Sequence, residues 1–278
     1  MVLQGILGAV CISIFSVFAL VSMPETKIFF QRTEITEAVT EESTYIYEEQ
    51  NTVTEVTTEE ISSVPKSSGK IVVIDPGHQR VGNSEQEPIG PGATETKNKV
   101  TYGTEGVKSG IAEYELNLSV SLKLKDKLEN MGYTVILTRE NNDVDISNME
   151  RAEIANNVNA DAFVRIHADD SENSEVKGAM TICQTPSNPY NGGLHKESYA
   201  LSEAVLNNIV SATGAEKRNV WQTDTMSGIN WAKVPCTIVE MGFMSNHEED
   251  MLLATEDYQY KMAEGIAKGI DEYLRNKE

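Results

Sequence analysis

At 278 residues the chain has room for one large domain or two small ones. Acidic side chains outnumber basic ones by 43 to 23, a formal charge of −20. That balance excludes nucleic-acid binding through clustered Lys and Arg, and it gives no long-range attraction to anionic polymers.

Residues 2–23, VLQGILGAVCISIFSVFALVSM, carry no charged side chain. A helix of that length spans the hydrocarbon core of a bilayer. Its apolar residues run all around the helix, and the following segment offers nothing to bury them. The expected reading is therefore an uncleaved transmembrane anchor at 1–23; a cleaved signal segment would instead release the rest as a secreted protein. Lys27 and Arg32 follow the run and no Lys or Arg precedes it, so charge alone would orient the segment with its following residues inside. Residues 24–68 change character. Glu, Thr, Ser and Val dominate, with acidic pairs such as Glu41-Glu42 and Glu59-Glu60, and no helical stripe. This composition predicts a self-repelling disordered linker.

From 69 to 278 the pattern becomes regular. Strands are predicted at 70–75, 133–137, 161–167, 178–183 and 235–240. Helices are predicted at 113–131, 148–158, 195–210 and 257–274. The first helix carries Leu116, Val120, Leu124 and Leu128 on one stripe and ends at Gly132, where a left-handed cap belongs. Strands alternating with helices imply a single α/β layered domain, its mostly parallel, mixed sheet flanked by helices. Cys11 lies in the apolar run. Cys183 and Cys236 read as small buried hydrophobes, with one bridge between them left open.

Three strand ends present chemistry. His78 follows Ile71 to Asp75 and the Pro76-Gly77 turn, His167 ends DAFVRIH, and Glu240 ends CTIVE. In open α/β sheets, ligands bind outside the carboxyl ends of the strands. Glu113 opens the helix after the long loop that follows His78. Singly, each has a plainer reading: a turn imidazole, or a glutamate complementing a helix dipole. Together, two imidazoles and a carboxylate can hold one zinc ion and leave a position for water, with a second carboxylate to move protons. That describes a metal-assisted hydrolase. His195 and His247 are weaker candidates as spare ligands. Trp221 and Trp231 could line a sugar-stacking surface, though aromatics at this content usually belong to the core.

The segment from about 70 to 274 resembles the catalytic domain of zinc-dependent N-acetylmuramoyl-L-alanine amidases, the amidase type 3 family. The resemblance rests on IVVIDPGH at 71–78, EYELNL at 113–118, VILTRE at 135–140, ERAEIAN at 150–156, DAFVRIHAD at 161–169 and VEMGFMSN at 239–246, in the family's order. It implies Zn2+ held by His78, Glu113 and His167, with Glu240 as the catalytic glutamate. It implies hydrolysis of the amide between N-acetylmuramic acid and the L-alanine of the peptidoglycan stem. It also implies an extracytoplasmic active domain on a membrane-tethered chain, which sets the orientation that charge left open.

The chain departs from the family's pattern in places. Gln79-Arg80 stand where two glycines are common, and the long loop after them is expected to shape the cleft rim. Arg165 stands where a small residue is common. It shares a strand face with His167, so it either meets a substrate carboxylate or pairs with Asp169 or Asp170. Asp75 either orients a ligand imidazole or stabilises the Pro76-Gly77 turn. Only about a dozen residues separate Cys183 from the helix near His195, too few for an inserted helix that plugs the site. Two alternatives remain from sequence: a zinc peptidase cutting within the stem, and an inactive wall-binding protein.

Overall fold

The computed structural model describes residues 68–277. The expected anchor at 1–23 and the linker up to residue 67 lie outside the described residues. No helix among the described residues is long and apolar enough to cross a membrane.

Five segments of high β-propensity build most of the central sheet: β1 (Ile71–Pro76), β4 (Thr134–Leu137), β5 (Ala162–Asp169), β6 (Ala179–Cys183) and β8 (Cys236–Phe243). An edge strand, β7 (Lys217–Gln222), completes it in the order β4-β1-β5-β8-β6-β7. Every pairing is parallel except β6 with β8, so the sheet is mixed. A separate antiparallel hairpin pairs β2 (Asn83–Pro88) with β3 (Thr96–Val100). Sequence periodicity missed this hairpin and β7, because both are largely exposed and neither alternates apolar with polar residues.

Alternation along the strands sorts the two faces. Val72 and Ile74, Val164 and Ile166, and Val239 and Met241 point to one side. There they meet the helices α1 (Glu113–Asn130), α3 (His195–Thr213) and α6 (Glu256–Arg275). Val73, Phe163 and Ile238 point to the other side, towards α2 (Asn148–Asn157) and the single turn α4 (Ser227–Asn230). α2 begins with a reciprocal cap between Ser147 and Glu150. A short helix, α5 (His247–Leu253), follows β8. The second face therefore has much less helix to cover it, and the outer ends of β5 and β8 stay uncovered there.

Chain order explains where the opening falls. The path from β1 through α1 to β4 runs over the first face, and the path from β4 through α2 to β5 returns over the second. The crossovers diverge on either side of the β1–β5 pair, which makes its carboxyl end the crevice where such sheets bind ligands.

Candidate metal centre and active site

The crevice collects the predicted residues. His78 lies two residues beyond β1, His167 lies near the end of β5, and Glu240 is its register partner on β8. Glu113 is the first residue of α1.

Three donor atoms form a nearly equilateral triangle. His78 Nε2 lies 3.2 Å from Glu113 Oε1, His167 Nδ1 lies 3.1 Å from the same oxygen, and the two nitrogens are 3.1 Å apart. Among the described residues this is the one group of His, Cys, Asp or Glu side chains arranged to hold a metal ion. A tetrahedral ion with bonds of about 2.0 Å separates its ligands by roughly 3.3 Å, so the triangle matches one face of such a site.

Proton positions point the same way. His78 Nδ1 is 2.9 Å from the Thr101 carbonyl, which can only accept, so Nδ1 carries the hydrogen and Nε2 turns a lone pair inward. That lone pair faces a carboxylate oxygen and a second imidazole nitrogen. A cation between them turns this mutual repulsion into attraction. Two imidazoles and one carboxylate suit zinc better than the all-oxygen preference of magnesium or calcium.

The surroundings hold these donors in place. Glu113 receives the Thr104 and Ala168 amides at 3.0 and 3.2 Å, and the Asn117 side-chain amide at 3.1 Å. Burial alone would raise the Glu113 pKa, but its close approach to His167 and His78 outweighs it and holds the carboxylate below its ordinary range. Burial pushes the His167 pKa down to about 4, with Glu113 opposing, so the imidazole is neutral near pH 7, as a ligand must be. His78 adopts a left-handed φ of 59°, uncommon for a residue with a side chain. Its neighbour Gly77 has no room for a methyl group, because a Cβ there would overlap the His167 ring. Gly103, at φ +92°, is also hemmed in: a Cβ there would lie 2.5 Å from Glu113 Oε2 and 3.0 Å from the His78 ring.

Glu240 stands beside the triangle. Its Oε2 is sealed from solvent and has no hydrogen-bond partner. Burial raises its pKa well above the ordinary carboxylate value; Glu113 and Asp169 add to the shift and Arg165 opposes it. A carboxyl tuned upward beside a candidate metal is suited to accept and return a proton.

For two neighbouring charged residues the structure removes one of the two alternatives. Asp75 does not touch an imidazole. It accepts from Arg151 Nη1 and Arg165 Nε, each at 2.8 Å, and together these guanidiniums hold its pKa far below the usual range despite full burial. Arg165 is accordingly paired with neither Asp169 nor Asp170. Its second bond, 2.7 Å, runs from Nη2 to Asn148 Oδ1. The register could have revealed the first contact, because Asp75 and Arg165 are direct neighbours on parallel strands.

Arg139 and Arg151 were not singled out from sequence, yet both grip the turn that carries His78. Arg139 donates to the carbonyls of Pro76 and Gly77, and Arg151 to those of Pro76 and His78. The missed Asn117 had a visible signal: a polar residue four positions after Glu113 and buried on the helix's inner side.

The remaining candidates stand apart from the triangle. His195 Nε2 pairs with Gln222 Oε1 at 2.8 Å, and His247 opens α5. Trp221 is exposed on β7, and the Trp231 indole N–H donates to the Pro88 carbonyl. Cys183 and Cys236 are both buried free thiols, with pKa values pushed up by burial to about 11 and about 12.

His78, His167 and Glu240 open into a cavity of about 590 Å³. The β2–β3 hairpin forms one wall through Gln86, Thr96, Lys97 and Asn98. The stretch 184–194 contains one turn of 3-10 helix, Gly192–Leu194, and no inserted α-helix.

Known proteins share this architecture. The chain is 27% identical over 221 residues to N-acetylmuramoyl-L-alanine amidase Rv3717 of Mycobacterium tuberculosis, covering 74% of this chain and 87% of that one. It is 26% identical over 226 residues to the germination-specific N-acetylmuramoyl-L-alanine amidase of Bacillus subtilis, covering 76% and 82%. Among solved structures it is similar to the N-acetylmuramyl-L-alanine amidase Ami1 from Mycobacterium smegmatis, with a TM-score of 0.68 and 26% identity over 76% of this chain and 99% of that one. The model of the family described as N-acetylmuramoyl-L-alanine amidase matches residues 72–272. With that match spanning most of its length, and its ends inside the folded unit, the chain belongs to the N-acetylmuramoyl-L-alanine amidase family.

Proposed function

We propose that this protein is a zinc hydrolase cutting the amide between N-acetylmuramic acid and L-alanine in peptidoglycan, with His78, Glu113 and His167 as the metal ligands and Glu240 as the proton carrier. Family membership makes it an amidase of the cell wall. The observation that carries the residue roles is the donor triangle with Glu240 beside it on the adjacent strand.

Zinc held by His78, Glu113 and His167 would supply Lewis acidity and would make water acidic enough to ionise near neutral pH. Glu240 takes the proton of the attacking water. It then delivers that proton to the leaving L-alanine nitrogen, because an amine leaves poorly as an anion. The raised Glu240 pKa suits both halves of the transfer. The grip of Arg139 and Arg151 on the turn at 76–78 keeps His78 in its unusual backbone conformation through the cycle.

We place the catalytic domain outside the cytoplasm, with 1–23 as the anchor and 24–68 as the tether. The apolar run and the cell-wall setting of the family support this arrangement. A membrane-pelleting assay of the full chain checks the anchor; recovery of the domain in culture medium would favour a cleaved leader.

Digestion of purified sacculi by the full chain, followed by mass spectrometry, tests the reaction. The expected product is an intact stem peptide beginning with L-alanine. Its release stops with a chelator and returns with zinc. Cuts within the stem would identify a peptidase, and binding without release by the zinc-loaded protein would identify an inactive wall binder.

A further inference from the structure

The cavity beside the metal site reverses the sign of the chain. The protein carries a formal charge of −20, yet the ionisable residues lining this cavity, apart from the imidazoles, are Lys97, Arg165 and Glu240. Its floor is a small grid. Arg165 and His167 alternate along β5, and Ile238 and Glu240 are their register partners on β8. Arg165 is incompletely neutralised, because its partner Asp75 also serves Arg151. Asp75 is thus shared between two guanidiniums, and Glu87 is a further carboxylate near Arg165.

Both cations border the segment 225–228. Lys97 Nζ donates to the Thr225 carbonyl at 2.7 Å. Arg165 Nη1 lies so close to Gly228 that any Cβ there would overlap it. Both strands of the hairpin that carries Lys97 are tied to the start of α2: Glu87 accepts from the Met149 amide at 3.1 Å, and Asn148 donates to the Lys99 carbonyl at 2.9 Å. The position of Lys97 is therefore built into the cleft.

We propose that Arg165 and Lys97 form a carboxylate subsite. It selects stem peptides whose second residue carries a free carboxylate over those in which that group is a carboxamide. The inference rests on the amidase reading and names its substrate class. The spacing agrees: residues two apart on a strand are roughly 6.6 Å apart, and the second residue of an extended stem lies within about 7 Å of the scissile amide. A carboxylate gains charge-assisted hydrogen bonds at this position that a carboxamide does not.

Two synthetic muramoyl peptides differing only in carboxylate against carboxamide at the second stem residue test the idea, with the zinc-loaded full chain. The wild type should show kcat/KM about tenfold higher for the acidic substrate, as expected for hydrogen bonds to charged groups. Lys97→Met should shrink that ratio by about threefold or more through KM, and Lys97→Arg should restore it. Arg165→Gln should bring the ratio near one. Lys97 is exposed, so its variants report even if the buried Arg165 variant fails to fold. Equal rates on both substrates, or a ratio unchanged in the Lys97→Met variant, overturn the subsite and leave the amidase reading standing. Failure of the wild type to cleave either substrate overturns the amidase reading, and the subsite with it.

Discussion

At Glu240 a buried carboxyl oxygen has no partner, an arrangement that costs stability. Glu240→Gln keeps the shape and removes the proton transfer. We expect it to bind zinc as the wild type does and to lose about 10²–10⁴-fold in turnover, checked by metal analysis alongside stem-peptide release. His167→Ala removes a donor from the triangle and should lose metal and activity together. Gly77 gives a subtler expectation. A methyl group there must displace the His167 ring, which is anchored on a strand and has little room to retreat. Gly77→Ala should keep the fold by circular dichroism and weaken zinc binding by about 10–100-fold in a competition titration, the usual cost of disturbing what orients a ligand.

Between elements, α6 and α3 bring their backbones close together. A Cβ on Gly269 would lie 2.4 Å from the Val205 Cα, and one on Gly265 would lie 2.7 Å from the Ile209 Cα. Two effects compete at Gly269. Alanine favours the helix by about 1 kcal/mol, whereas overpacking against backbone costs about 1–3 kcal/mol. The backbone of α3 cannot swing aside as a flexible side chain can, so the second effect wins. Gly269→Ala should lower unfolding free energy by about 1 kcal/mol in a urea titration. A gain in stability would show that the helices part without penalty. The β2–β3 hairpin has a different function at this scale. It contributes little apolar burial, and its worth lies in placing Thr101, the residue after β3, which fixes the His78 tautomer, and in Lys97, which faces the cleft.

Across the whole molecule, the cluster of Asp75 with Arg151 and Arg165 links the sheet to α2 and makes stability depend on pH. The folded chain holds Asp75 well below its ordinary pKa of 3.8. Its contribution is complete above that value and is lost as pH falls, because the unfolded chain takes up the proton first. Glu87 and Glu249 act in the opposite sense. Burial raises both, so the folded chain keeps protons that the unfolded chain has released, and their contributions decline as pH rises through the carboxylate range. Asp75→Asn isolates the first effect. It leaves two buried guanidiniums without their counter-charge, so we expect a loss of about 3–5 kcal/mol at neutral pH. Urea titrations from pH 5 to pH 2 should also show a flatter acid limb than the wild type.

What the sequence determined by itself was local or repetitive. The fold class followed from strand and helix periods, the helix end from the glycine at 132, which takes a left-handed φ of 91° in the structure, and the four candidate site residues from their places at strand and helix ends in ordered motifs. Tertiary structure decided what depends on partners distant in the chain. Which imidazole nitrogen of His78 faces the donor triangle is set by Thr101, 23 residues away. Arg165 faces Asp75 because two strands 90 residues apart pair in one register. The hairpin became a cleft wall, and the two thiols proved free, by the same kind of distant packing. Periodicity reports which way a side chain points; only the folded chain supplies what it meets there.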